Sequence, residues 1–247
     1  MQFRTIVIKQ LNLTDAKKEQ MLSLHQQYYD NVEQEVFYKD LSQKDWVILL
    51  ENPKAEVVGF STVQLISLTI YGKVHLFVFS GDTVIREDAR NPHGLTAGFI
   101  QMIFVLIKKH PKQPLYWFLI SKGYRTYRFM PLYFKEFYPV YNQPTPKEKA
   151  GILNSIARYK FGELYDPERN VIVYPYEKDK LKPDHAIIQE ARQSKNPHIR
   201  FFAERNPTFY KGDDLASIAQ LNPNNFLPAI ERIRTATVNE IDVSSMY

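Results

Sequence analysis

The chain has 247 residues, of which 32 are lysine or arginine and 27 are acidic, so the formal net charge is +5. Hydrophobic residues make up 44% and aromatic residues 14%, a composition that is typical of globular proteins and excludes a disordered or fibrous chain. There is no cysteine, which excludes disulfides, iron–sulfur clusters, thiolate zinc sites and cysteine nucleophiles.

The first residues of the chain hold a short apolar run without a small-residue cleavage site, so no secretory signal is predicted. The longest apolar stretch, residues 99–107, falls short of the roughly 18 residues that a membrane span needs. The absence of cysteine fits a reducing compartment. We therefore expect a cytoplasmic protein without a membrane span.

The N-terminal segment predicts a strand, two helices and a second strand. Residues 3–9 alternate apolar and polar side chains, which is the pattern of a half-buried strand. A helix is predicted behind a cap at Thr14 or Asp15, and a shorter helix over residues 33–41. Residues 46–50 then form an apolar run that predicts a strand.

The middle of the chain predicts a hairpin and a crossover helix. Residues 56–70 and Lys73–Ile85 are separated by Tyr71-Gly72, which suits a tight antiparallel turn. A helix that is apolar almost all round follows over residues 95–109. Leu115–Ser121 then reads as a buried strand parallel to Lys73–Ile85. Residues 124–137 predict an irregular helix because Pro131 interrupts them.

From Pro139 onward, frequent prolines divide the sequence into short pieces. Helices are predicted over residues 146–160 and 183–194, a strand over 171–176, and two further strands over 199–204 and 215–221. We expect both of these last strands at the far edge of the same sheet. The chain is then a single domain over residues 1–247 with an insertion at residues 140–198. The predicted fold class is α+β, a mixed, mostly antiparallel twisted sheet flanked by helices, with the inserted helical segment before the last strands.

The loop between the strand Lys73–Ile85 and the helix after it predicts a phosphate site. Unpaired N–H groups at a helix start and the positive end of the helix dipole favour phosphate. Arg90, Asn91 and His93 add donors beside those amides, while Val84 and Ile85 offer a strand edge to an extended ligand that carries amides. An ordinary strand-to-helix turn has the same sequence pattern and remains the alternative.

This order of elements resembles the GCN5-related N-acetyltransferase (GNAT) family, whose pyrophosphate loop reads Arg or Gln, two residues, Gly, one residue, and Gly or Ala. Arg90 lies one residue early for that pattern, and Asn91, Gly94 and Thr96 have its spacing. The resemblance covers residues 3–138 in architecture and implies a GNAT-like fold that binds a coenzyme A thioester. The implied donor-binding residues are Val84, Ile85, Arg90, Asn91, His93, Gly94, Leu95, Thr96 and Ala97.

A second motif, residues 133–137, is similar to the Tyr-x-Lys-x-Gly-Phe ending of a helix in the same family, with Glu136 at the glycine position. The resemblance gives Tyr133 the role of the acid that protonates the departing thiolate, and a phenol is chemically able to do so. His75 is the candidate general base because histidine titrates near neutral pH. Asp82 and Glu87 are alternatives closer to the loop. The histidines show no metal-ligand spacing, so no metal is predicted.

The sequence-based hypothesis is an N-acyltransferase that moves an acyl group from acyl-coenzyme A, or from the phosphopantetheine of an acyl carrier protein, to an amine acceptor by direct attack. The high aromatic content favours an acyl group longer than acetyl. The alternative is a non-catalytic GNAT-fold binding or scaffold protein, which the departures at Asn91, Thr96 and Glu136 favour. The basic aromatic segment 122–135 raises nucleic-acid binding as a third interpretation, but the small net charge argues against strong affinity for a phosphate backbone.

Overall fold

The computed structural model describes residues 3–89, 94–175, 180–181, 185–235 and 241–246. The strands are β1 (Arg4–Lys9), β2 (Tyr29–Asp30), β3 (Trp46–Glu51), β4 (Val57–Ile70), β5 (Lys73–Ile85), β6 (Leu115–Ser121), β7 (Tyr165–Asp166), β8 (Val171–Ile172), β9 (Lys180–Leu181), β10 (Asp214–Gln220) and β11 (Ile241–Asp242). The helices are α1 (Asp15–Tyr28), α2 (Gln34–Ser42), α3 (Gly94–Lys109), α4 (Tyr124–Tyr127), α5 (Phe129–Tyr133), α6 (Lys147–Phe161), α7 (His185–Gln193), α8 (Pro197–Arg205) and α9 (Pro228–Thr235).

One mixed sheet organises the described residues, in the order β11-β1-β3-β4-β5-β6-β10-β8-β7. The pairs β1–β11 and β5–β6 are parallel, and the other neighbours are antiparallel. The predicted hairpin of β4 and β5 and the predicted parallel step from β5 to β6 through α3 are both present. The predicted fold class is confirmed.

Helices cover both faces of the sheet because side chains alternate along each strand. Helix α3 is apolar almost all round and packs against β1 and β3 on one face, where α4, α5, α8 and α9 extend the same core. On the other face, α1 and α2 cover the β3–β4 half and α6 covers the β6–β10 half. The sheet therefore has two separate helical covers on the face opposite α3.

The sequence prediction for residues 199–204 is wrong, because they lie in α8 and not in a strand. The side chain of Asn196 accepts a hydrogen bond from the N–H of His198 at the helix start, and Pro197 occupies the first turn, where proline is tolerated. Ile199 and Phe202 are buried one turn apart. The apolar residues in this short segment are compatible with the repeat of a helix and with that of a strand. The cap at Asn196 favours the helix.

The far edge of the sheet also differs from the prediction. Residues 215–220 of the predicted strand do lie in a strand, β10, but it lies between β6 and β8 rather than at the edge. The predicted strand at residues 171–176 is short, Val171–Ile172, and residue 176 lies outside the described residues. The segment 140–198 thus supplies edge strands as well as helices. Its description as an insertion within a single domain stays a prediction.

Buried tyrosines predict a loss of stability at alkaline pH. Burial raises the pKa of Tyr165 to about 12 and that of Tyr127 higher still. A group whose pKa is raised by folding stabilises the fold fully below its unfolded pKa, and that contribution is lost as pH rises. We expect the free energy of unfolding to fall above pH 10 by up to about 1.4 kcal/mol per pH unit for each such tyrosine.

Urea unfolding at pH 8, 9, 10 and 11 measures this slope. Tyr165→Phe should make the decline above pH 10 shallower. Tyr159→Phe is the matched control because that side chain is 64% exposed, and it should leave the slope unchanged. Equal stability at pH 8 and pH 11 in the wild type would contradict the prediction.

Candidate functional site

Strands β5 and β6 separate at their carboxyl ends. Their parallel pairing runs from Leu76–Leu115 to Ser80–Leu119. Beyond this point β5 continues to Ile85 beside β4, while β6 continues beside β10. The two strands thus follow different neighbours, and we call the opening between residues 81–85 and 120–121 the fork. Within the described residues the two strand edges are not paired with each other there, so an extended ligand can bind along them.

The backbone of β5 offers hydrogen-bonding groups to the fork. The N–H of Arg86 donates to the carbonyl of Val58 at 2.8 Å, so Arg86 faces β4. Main-chain groups of successive strand residues point in opposite directions, which directs those of Ile85 and Thr83 away from β4. Ile85 therefore has the predicted orientation toward a ligand. The main chain of Val84 faces β4 instead, and its side chain is buried with Phe60.

A β-bulge lies where β5 enters the fork. Ser61 pairs with Thr83 and Val63 pairs with Ser80, so β5 has one more residue than β4 across this step. Gly81 and Asp82 form this irregular step. Bulges leave a residue outside the ladder and redirect neighbouring side chains, and they are frequent beside binding sites.

Helix α3 starts beside the fork, and its first residues are mostly packing residues. A Cβ on Gly94 would lie 3.0 Å from Cδ2 of Leu50, so this glycine allows the helix to approach β3 closely. Leu95 and Ala97 are buried in the core. Thr96 is half-buried and faces α5. The other predicted loop residues, Arg90, Asn91 and His93, lie outside the described residues.

Tyr133 joins the two sequence motifs. It lies at the end of α5, is 6% exposed, and stacks on Phe129 with ring centroids 5.7 Å apart. Its phenol lies near the side chain of Thr96, in the first turn of α3. Burial raises the pKa of Tyr133, and the Thr96 hydroxyl opposes part of that rise. The structure therefore brings Tyr133 together with the loop-to-helix segment and keeps its proton in place at neutral pH.

Aromatic packing closes the α3 side of the fork. The indole N–H of Trp117 donates to the Ser80 hydroxyl at 2.9 Å, where the β5–β6 pairing ends. The ring of Phe99 lies 4.6 Å from that of Trp117, and the ring of Phe129 lies 6.3 Å from it. A ligand entering the fork would therefore meet an apolar wall on this side.

His75 is not brought to the fork. It lies near the start of β5, ten residues before Ile85, which corresponds to roughly 30 Å along a strand. Its Nδ1 lies 3.0 Å from the carbonyl oxygen of Lys73, and its ring is beside that of Tyr116. This is the environment of a hydrogen-bonded core histidine, and we leave His75 out of the site. Asp82, the alternative base, lies on the bulge.

A cluster that sequence reasoning missed lies on the face opposite α3. The buried ammonium of Lys44 is 2.8 Å from the Asp40 carboxylate and 5.1 Å from the ring centroid of Phe79. The ammonium of Lys160, from α6, is also 5.1 Å from that ring and donates to Gln64 Oε1 at 3.0 Å. Two cations thus meet one aromatic ring in the gap between the helical covers.

This cluster contacts the bulge directly. A Cβ on Gly81 would lie 3.2 Å from the Lys44 ammonium and 2.5 Å from the hydroxyl oxygen of Thr62. That hydroxyl is buried and has no hydrogen-bond partner among the described residues. Lys44 sits in the sequence between a helix and a strand, where a lysine is normally solvated. No local pattern distinguishes it, and only the sheet brings it to Gly81.

The sequence predicts neither a membrane span nor a metal site. No helix in the described ranges combines the length and the apolar character needed to cross a bilayer. The same ranges contain no group of three or more acidic or histidine side chains arranged to hold a metal ion.

No protein-family model matches the chain, and no curated protein matches it. Several solved structures are similar. A probable N-acyltransferase from Enterococcus faecalis V583 shares 19% identity with a TM-score of 0.42, over 56% of this chain and 33% of that chain. A GNAT acetyltransferase from Staphylococcus aureus Mu50 shares 13% with a TM-score of 0.40, over 57% and 89%. A GNAT N-acetyltransferase from Escherichia coli in complex with CoA shares 10% with a TM-score of 0.37, over 52% and 69%.

These proteins are of the type that the sequence resembles. The chain spans about a third of the length of the Enterococcus faecalis protein. At this identity and TM-score the likeness is one of fold alone.

Proposed function

We propose that the protein transfers an acyl group from a pantetheine thioester to an amine acceptor at the fork. The observation that supports this most is the proximity of the buried Tyr133 phenol to Thr96, which places a protonated phenol beside the start of α3. The strand edge of Thr83 and Ile85 is suited to the amides of an extended pantetheine arm. The N-terminus of α3 provides a favourable field for the phosphates of coenzyme A.

In the proposed reaction, the amine nitrogen attacks the carbonyl carbon of the thioester and a C–N bond forms. The C–S bond then breaks, and the thiolate takes the phenolic proton of Tyr133. The Asp82 carboxylate, on the bulge, accepts the proton that the amine loses, and proton exchange with solvent then restores the Tyr133 phenol and the Asp82 carboxylate. No covalent intermediate with the protein is required, so the catalytic advantage comes mainly from positioning.

The donor is coenzyme A or the phosphopantetheine of an acyl carrier protein, and we propose an acyl chain longer than acetyl. The apolar wall formed by Phe99, Trp117 and Phe129 supports this choice. The acceptor side is the face opposite α3, where Lys44 and Gly81 adjoin the bulge.

A second candidate function is a binding or scaffold protein with the same fold and no transferase activity. Its support is the packing of the fork itself. The indole of Trp117 already has a hydrogen-bond partner in the protein, Ser80, and the phenol of Tyr133 is buried beside Thr96. A donor would have to compete with these contacts.

Thermal unfolding with coenzyme A, acetyl-coenzyme A and palmitoyl-coenzyme A tests the donor. A ligand at 100 times its dissociation constant stabilises by about 2.7 kcal/mol. We expect the largest shift of the unfolding midpoint with the long-chain ester. Failure of all three ligands, together with failure of palmitoyl-acyl carrier protein to bind, would support the scaffold alternative and contradict the proposal.

Ile85→Pro is the matched variant for the strand edge. Proline removes the N–H that faces the fork and leaves the β4 ladder intact, because the N–H of Ile85 does not face β4. The variant should keep the unliganded unfolding midpoint and lose most of the ligand-induced shift. Ile85→Val keeps the N–H and should behave as wild type. An unchanged shift in Ile85→Pro would exclude strand-edge binding.

A further inference from the structure

A second concave site lies at the opposite end of the sheet from the fork. It has a volume of about 220 Å³ and is bordered by Tyr116 near the start of β6 and Gln220 at the end of β10. Tyr116 precedes Ser121, at the fork, by five residues, or roughly 17 Å along the strand. This pocket, which we call the basal pocket, is separate from the proposed transferase site and does not depend on it.

The wall of the basal pocket is held rigidly by Asn225. Its side-chain oxygen accepts the N–H of Glu136 at 2.8 Å, and its amide donates to the carbonyls of Glu136 at 2.9 Å and Gln220 at 3.0 Å. The N–H of Lys135 donates to the carbonyl of Asn225 at 2.9 Å. These bonds join residues 134–138 to the segment after β10. The groups around the cavity are therefore positioned before any ligand arrives.

Two ammonium groups line the basal pocket. Lys149 donates to the hydroxyl of Tyr116 at 3.0 Å and lies 5.3 Å from the centroid of its ring. Lys135 donates to the carbonyl of Asn224 at 2.8 Å. Both contacts are with neutral oxygens, and neither ammonium forms an ion pair with a carboxylate among the described residues. Burial lowers the pKa of Lys149, but the hydrogen bond with Tyr116 and nearby Glu148 outweigh it, so this pKa is raised.

One carboxylate lies at the same cavity. Glu136 lines the basal pocket. Its carboxylate raises the pKa of Tyr138 and the Lys149 ammonium lowers that pKa, so both charges act on the Tyr138 phenol. Burial is the largest cause of the raised pKa of Tyr138. The charged lining is thus two ammonium groups and one carboxylate. The amide side chains of Asn222 and Asn224 add neutral donors and acceptors.

We propose that the basal pocket binds a dicarboxylic amino acid, with its two carboxylates on Lys135 and Lys149 and its ammonium group on Glu136. A ligand with two negative charges and one positive charge matches the lining group for group. The polar rim and the small volume fit a free amino acid rather than a larger apolar molecule. Charged hydrogen bonds in such a partly enclosed site are stronger than at an open surface.

Calorimetric titration of the full chain with L-glutamate and L-aspartate at constant ionic strength tests the assignment. We expect saturable binding of at least one of these amino acids. Glutarate and succinate, which lack the amine, should bind at least tenfold more weakly. L-glutamine should also bind at least tenfold more weakly. Absence of binding by both amino acids would overturn the proposal. Equal or tighter binding of inorganic phosphate would also overturn it, because the site would then be a simple anion site.

Variants assign the binding to the basal pocket. Lys149→Met should weaken binding of the amino acid at least tenfold, and Lys147→Met, an exposed position on the same helix, should not. Glu136→Gln should abolish the preference for L-glutamate over glutarate. If Lys149→Met does not fold, Lys135→Met at the exposed rim serves in its place. Unchanged affinity in the folded lysine variant would show that the ligand binds elsewhere and would overturn the assignment.

Discussion

Tyr133→Phe is expected to lower the turnover of acyl transfer by about 10²- to 10⁴-fold, the usual contribution of a positioned general acid. The variant removes the proton that the departing thiolate requires and leaves the ring stacked on Phe129. The unfolding midpoint should change little by comparison. Turnover is measured as release of free thiol from the acyl donor that gives the largest thermal shift.

Thr96→Val separates chemistry from structure in this experiment. It removes the hydroxyl that lies near the Tyr133 phenol and keeps the phenol itself. A structural role for this polar contact predicts equal losses in the two variants, whereas an acid role predicts a much larger loss in Tyr133→Phe. Equal losses would contradict the role that we propose for Tyr133.

The pH dependence provides a further readout. Burial raises the pKa of Tyr133, so its phenol stays protonated from neutral pH to beyond its ordinary value near 10. Deprotonation of Tyr133 should therefore not limit turnover below pH 10. Asp82→Asn should lower the rate throughout this pH range, because it removes the carboxylate that accepts the amine proton. A wild-type rate that falls between pH 8 and 9 would argue against Tyr133 as the acid.

The sequence predicted the central part of the fold well because its signals are local. The alternation in β4 and β5, the turn at Tyr71-Gly72 and the apolar character of α3 each appear within one short window. The error at residues 199–204 has a physical cause, since the same apolar side chains suit a strand or a helix. The placement of β10 beside β8 depends on pairing between segments that are far apart in the sequence, so no short stretch of sequence predicts it.

The candidate site was predictable only where the family resemblance provided a motif. Tyr133 and Thr96 both belong to such motifs, and the structure brings them close together. His75 belongs to no motif, and strand geometry separates it from the fork. Lys44 carries no sequence signal, because its contact with Gly81 arises only when β5 bulges beneath it.

Gly98→Val is expected to produce the largest loss of stability, about 3 kcal/mol or more, because overpacking a close contact displaces whole elements. A Cβ at this position would lie 2.6 Å from Cγ2 of Thr5 and 2.8 Å from Cγ2 of Ile48. Neither neighbour is the flexible tip of a long side chain, so α3 would have to move away from β1 and β3. Urea unfolding of wild type and variant measures the difference.

A substitution at Gly151 is the control, and it is expected to change the free energy of unfolding in the opposite direction. Gly151 also lies in a helix, α6, but the three atoms nearest to its Cβ would all belong to the exposed side chain of Tyr71, which can rotate away. Replacing a helical glycine with alanine gains up to about 1 kcal/mol when space is available. Gly151→Ala should therefore stabilise the protein, and Gly98→Ala should destabilise it despite the same gain in helix propensity. If Gly151→Ala and Gly98→Ala both stabilised the protein, α3 would not lie as close to β1 as it does in the structure.

A double-mutant cycle identifies the contact responsible. Thr5→Ser removes the methyl group nearest to the new Cβ, so it should reduce the cost of Gly98→Ala by about 1 kcal/mol if the two sites are coupled. The same helix sets the position of Thr96 relative to Tyr133. Gly98→Ala should therefore weaken the thermal shift produced by the acyl donor, and Thr5→Ser should restore it. Restoration of stability without restoration of the shift would mean that donor binding does not depend on where α3 begins.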